Sequence, residues 1–155
     1  MSENIPVGGL STAAEVEALA DGLSACADQL HARLMKEMAM HKGDFSDAEQ
    51  ATFRALNDDE QVLRQRADSL YADAATLVVK GLPEAQAHII ALTAAAAEKI
   101  RKIGMLGEVL GLVGGLLSLA GSAASGNLGG IVAAFGQVRT HLAGVEALRP
   151  KPAIP

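Results

Sequence analysis

The chain is 155 residues long, half of them hydrophobic, with 20% charged residues, only 3% aromatic residues and no Trp. Alanine fills 30 positions and glycine 16, so the apolar content is mostly small side chains and Leu, which argues against an all-β fold. A net charge of -5 argues against nucleic acid as a partner, because phosphate affinity rests on clustered Lys and Arg.

One cysteine, Cys26, excludes a disulfide within the chain, and with four scattered histidines it leaves no closed Cys/His zinc site. Residues 1–12 lack a basic region followed by an apolar one, so no signal peptide is expected and the protein is expected to be cytoplasmic as synthesised. The length fits a single helical domain, 1–155, in three parts: a charged half (1–102), an apolar hairpin (103–148) and a Pro-rich tail (149–155).

Ser11 and Thr12 are both candidate N-caps for a first long helix. Its stripe is Val16, Leu19, Leu23, Cys26, Leu30, Leu34 and Met38, spaced three and four apart. Gly43 and the Asp44-Phe45-Ser46 turn end it. Ser46 with Glu49 is a capping-box signature for a second helix, with the stripe Phe53, Leu56, Leu63, Ala67, Leu70, Ala74 and Leu77. Asp59 and Glu60 interrupt that stripe, which allows a break near Asn57, and Asp58-Asp59-Glu60 reads as a solvated face.

Gly81 fits the position after the second helix, and Pro83 the first position of a third. The third helix carries Ile89, Leu92, Ala96, Ile100, Ile103, Leu106, Leu110, Val113, Leu117 and Ala120, with no stop before Ser125-Gly126-Asn127. A fourth amphipathic helix presents Leu128, Val132, Phe135, Val138, Leu142, Val145 and Leu148. The alternating prolines of 149–155 predict a loose terminal strap. The expectation is therefore an all-α fold of about four helices: two long charged amphipathic ones and an apolar glycine-zipper hairpin.

Charge is very unevenly placed. Residues 1–102 hold 16 of the 18 acidic and 10 of the 13 basic side chains, and the 30 residues 109–138 contain no Asp, Glu, Lys, Arg or His. Within that apolar region Gly107, Gly111 and Gly115 form G-x-x-x-G-x-x-x-G, extended by Gly104 and by Ser118 and Ser122. Such a ridge permits close backbone approach between helices. In water, each helix-interior glycine costs about 1 kcal/mol relative to Ala, so this helix needs a partner or a bilayer. Lys99, Arg101 and Lys102 precede the apolar stretch and Arg139 follows it, so both cationic ends fit one membrane face while an uncharged tip enters first.

The first arm, Ile103 to Ala124, would rise about 33 Å, which matches a hydrocarbon core of roughly 30 Å. The second, from Gly126 to Val138, would rise only about 20 Å. Helices one and two are expected to cover both arms in water. In a pore built from several hairpins, Glu108 and Arg139 are the expected lumen or mouth residues.

The small size, charged helical first half and Gly107-x-x-x-Gly111-x-x-x-Gly115 ridge resemble small glycine-zipper, pore-forming interbacterial effectors of the type VI secretion type, over residues 103–138. The resemblance implies a toxin soluble in its producer, carried in a complex, acting at a target-cell membrane and opposed by an immunity protein.

Glu37/His41 and Glu84/His88 stand four apart, but di-metal bundles use Glu-x-x-His with further carboxylates; no metal and no cofactor is expected. Cys26 lies on an apolar stripe and reads as an inert buried thiol. Met35, Met38 and Met40 read as core filler or an adaptable contact surface. No nucleophile elbow, P-loop, dinucleotide fingerprint or zinc-protease motif is present, so no enzyme activity is expected. The sequence therefore predicts a membrane-inserting, self-associating helical protein whose partners are a lipid bilayer, its own copies and a carrier or immunity protein. The alternatives are a soluble homo-oligomeric structural or adaptor protein with a Gly/Ala-packed core, and a coat protein lying on a lipid or polymer surface.

Overall fold

The computed structural model describes residues 10–42, 44–83 and 88–148. They form five helices, with no strand among the described residues: α1 (Ala13–His41), α2 (Asp47–Ala72), α3 (Ile89–Lys102), α4 (Leu106–Ala124) and α5 (Leu128–Leu148). The fold is all-α as expected. It has five helices rather than about four, because the long third helix is cut at 103–105. The 149–155 tail and Glu84 lie outside the described residues.

Local signals explain most boundaries. The Thr12 hydroxyl accepts the Glu15 N–H at 3.1 Å, while the Glu15 carboxylate accepts the Ser11 N–H at 3.2 Å, so Thr12 is the cap. At α2 both halves of the Ser46/Glu49 capping box form. The second helix does not break near Asn57. Glu60 takes the core position at 7% exposure, its carboxylate accepting from Arg64 Nε at 3.0 Å and meeting His31 Nδ1 at 3.1 Å. A paired carboxylate there keeps the stripe continuous, so Glu60 is not on a solvated face. The helix ends at Ala72, where the Asp73 N–H donates to Ser69 O, well before Gly81. Gly81, at φ 85, serves the connection beyond, in which Ala74 and Val79 are buried.

Cross-helix contacts fix the topology. Tyr71 donates to Asp21, Arg64 reaches Asp28 at 2.8 Å, and His31 meets Glu60; α1 and α2 are antiparallel. Thr93 lies beside Gly22 and Ile100 beside Arg33, so α1 and α3 are parallel. The α4–α5 pair is antiparallel, with Gly111 against His141 and Gly115 against Val138. The main packing runs in the order α1, α2, α4, α5, α3 and back to α1, with a slighter contact between α3 and α4. The hairpin is thus covered differently from the expectation: α2 lies on α4 and α3 on α5, while α1 packs mainly on α2 and α3.

The core runs through all five helices, with Leu19, Leu23, Leu56, Leu63, Ile100, Leu112, Leu116 and Ile131 fully enclosed. Met38, expected on the α1 stripe, is 42% exposed, because the last turns of α1 project past that core.

Candidate functional site

The apolar hairpin is the candidate site. α4 has 19 residues, about 28 Å of rise, three residues shorter than the arm expected from Ile103. Among the described residues it is the one helix long and apolar enough to cross a membrane by length and composition. Almost half of its apolar window, 44%, is buried inside the bundle.

Only part of the glycine ridge is used for close packing. A Cβ on Gly111 would stand 2.7 Å from the His141 ring, and one on Gly115 would stand 2.9 Å from Val138 Cγ2. Neither fits without a shift, so these two glycines let α4 and α5 approach each other. Further along the same line, Ser122 fits against Gly130 of α5. Gly104 and Gly107 differ: nothing lies within 4 Å of a Cβ at either. Gly104 falls in the joint before α4 and Gly107 in the first turn of α4, and both border a cleft of about 420 Å³ shared with Glu37, His41 and Glu49. Ser118 is exposed on the outer side of α4.

The hairpin turn is a local device. Gly126 takes φ 67, where a side chain is disfavoured, and the Asn127 side-chain oxygen Oδ1 accepts the Gly130 N–H at 3.0 Å, starting α5 as an N-cap does. The buried face of α5 is Ile131, Ala134, Phe135 and Val138. This face is turned from the expected one: Leu128 is 38% exposed, and Val132 and Leu142 are half-buried. Phe135 and Val138 belong to both faces, and Ile131 and Ala134 take the core positions expected of Leu128 and Val132.

Glu108 and Arg139 are not brought together. Glu108 is half-buried in the first turn of α4, where a carboxylate complements the helix dipole. Arg139 is exposed and borders a shallow recess with His88, Leu92 and Phe135 on the α3 side.

Sequence reasoning missed the seat of α1 on α3. A Cβ on Gly22 would overlap the Thr93 side chain, and the Cys26 thiol donates to Thr93 O at 3.4 Å. Burial pushes the Cys26 thiol up to about 12, which leaves it protonated and inert at neutral pH. It also missed Arg33, whose side chain is 7% exposed. Its Nη1 and Nη2 donate to Ile100 O and Gly104 O, both at 3.2 Å, and its Nε to Glu37 at 2.9 Å. Charge pattern gave no sign of either residue, since one Gly and one Arg on a charged helix are ordinary.

Among the described residues no group of three or more His, Cys, Asp or Glu is placed to hold a metal ion. Compared with protein-family models, curated proteins and solved structures, the chain matches none.

Proposed function

We propose that this chain is a membrane-inserting, self-associating protein that is kept soluble by its own sheath, with the α4–α5 hairpin as the inserting unit and a pore-forming, effector-like role at the membrane. The observation that carries the reading is the uncharged stretch 109–138, folded as two helices packed closely along Gly111, Gly115 and Ser122. Two helices joined along small residues hold together without water-driven burial, which is what a bilayer requires. Transfer of the pair into lipid exchanges the cover of α2 and α3 for acyl chains, a two-state change biased by the membrane.

Ser118 provides a selective test, because it is exposed in the bundle and sits near the middle of α4. Ser118→Arg should change soluble stability by less than about 0.5 kcal/mol, yet oppose insertion by about 2.5–3.5 kcal/mol. Wild type should float with anionic vesicles and release a trapped dye, and Ser118→Arg should lose dye release roughly a hundredfold. Wild type that stays at the bottom of the gradient at neutral and acidic pH removes the proposal.

A second reading, a soluble homo-oligomeric adaptor, is favoured by one observation: the ridge at Gly111 and Gly115 is already filled by α5 of the same chain. Light scattering of an oligomer that leaves vesicles intact would select it.

A further inference from the structure

The break between α3 and α4 falls where the sequence carries an unbroken helical stripe, from Ile100 through Ile103 and Leu106 to Leu110. The chain here is extended, with ψ 131 at Ile103 and ψ 127 at Met105. Gly104 is contacted by nothing at the Cβ position, and Met105 is 67% exposed. α4 begins without a side-chain cap, so its first N–H groups lack the partners that a continuing helix would give them.

Something must therefore hold the bend, and Arg33 is placed to do so. Among the described residues it is the one buried cation, and its two terminal nitrogens reach carbonyls on both sides of the break, Ile100 O and Gly104 O. In a straight helix Ile100 O would accept from Gly104 N–H; Arg33 Nη1 gives that carbonyl a competing charged donor, while Nη2 ties Gly104 O on the far side of the break. Glu37 grips Arg33 from behind and also bonds His41 at 3.2 Å. His41 in turn faces Glu49 of α2 at 4.0 Å and packs on the Phe45 ring.

We propose that 103–105 is a hinge with two states, the bent one latched by Arg33 and a straight one in which α3 and α4 fuse into a single helix, 89–124, carrying the hairpin away from α2. Straightening gives the α4 N-terminus its missing acceptors, Ile100 O to Ile103 O, and leaves Arg33 to water. The latch supplies a trigger for insertion and rests on the membrane reading for its use; its existence is tested without lipid.

The experiment is a spin-label distance measurement on the full chain, with labels at Ala94 and Ser118, both exposed. In the bent state α4 turns back instead of extending α3, so the labels stand closer together than in a straight helix. In the fused helix 24 residues separate them, about 36 Å. Wild type should give the short distance. Arg33→Met, which keeps bulk and loses both bonds, should raise the long-distance population roughly tenfold. Gly104→Pro added to Arg33→Met should abolish it, because proline removes the required N–H while suiting the extended residue before it. Should Arg33→Met fail to fold, Glu37→Gln, which loosens the grip on Arg33, should show the same shift to a smaller extent.

A folded Arg33→Met or Glu37→Gln protein with the short distance alone overturns the latch. The two readings fail separately. A long distance in buffer with no dye release removes the membrane role and keeps the hinge. Dye release by wild type with no long distance, in buffer or on vesicles, removes the hinge and keeps the membrane role.

Discussion

At the scale of single residues, glycine has two opposite meanings in this chain, and added bulk separates them. Gly22 is a seat: its missing side chain admits Thr93, with Thr93 Cβ 2.8 Å from where a Cβ would stand. Gly114 is not, since nothing lies within 4 Å of its Cβ position. Ala at either position gains about 1 kcal/mol of helix propensity. At Gly22 the overlap costs about 1–3 kcal/mol, because a buried Thr93 held by its bond to Ile90 O at 2.7 Å has nowhere to move. Urea unfolding should therefore show Gly114→Ala stabilised by about 0.5–1 kcal/mol and Gly22→Ala destabilised. The reverse order would mean that Thr93 can yield to a methyl group and that the α1–α3 approach is loose at Gly22.

At the scale of elements, the start of α2 carries its own pH dependence. The Ser46 backbone N–H donates to Glu49, assisted by the Ser46 side chain and by His41, and holds the Glu49 carboxyl below its usual range. A depressed folded-state pKa means that this stabilisation is present above the ordinary glutamate pKa and is lost as pH falls through the lower, folded one. The difference in urea midpoint between wild type and Glu49→Gln should be widest at neutral pH and should close below about pH 4. A gap that persists in acid would assign the effect to side-chain shape instead.

This capping box was legible in the sequence because both partners lie within one turn. So were the α1 stripe, the hairpin turn and the uncharged stretch, all of which are local patterns. The break at 103–105 was not, because its cause, Arg33, lies 67 residues from Ile100 on another helix. The end of α2 at Ala72 was hidden by Ala74 and Leu77, which pack against the core from a non-helical segment while keeping helical spacing. Of the ridge, Gly111 and Gly115 were read for the right physical use, but Gly104, Gly107 and Ser118 share their spacing without their contacts. Spacing defines a ridge; only the partner helix decides how much of it is filled.

At the scale of the molecule, the ring of helices has one thin seam. α5 is held firmly by α4, but it meets α3 through a smaller surface, where Phe135 shares a shallow recess with His88 and Leu92. Phe135 is 3% exposed and is the one large aromatic side chain of that seam among the described residues. Phe135→Ala should cost about 3 kcal/mol and increase binding of a dye that reports exposed apolar surface. The loss should appear first as opening of α5, before α1 and α2 unfold. Simultaneous loss of all helices at unchanged midpoint would mean that the seam contributes nothing.

The order of the ring differs from the order of the chain, and the difference bears on synthesis. During translation α1 and α2 emerge first and can close on each other as a hairpin of nearby segments, the kind of local pairing that forms fastest. By the time the greasy segment leaves the ribosome, the surface that will receive α4 already exists on α2. The nascent molecule thus carries its own holdase upstream of its most aggregation-prone part, an arrangement that a circular permutation placing residues 103–148 first would undo.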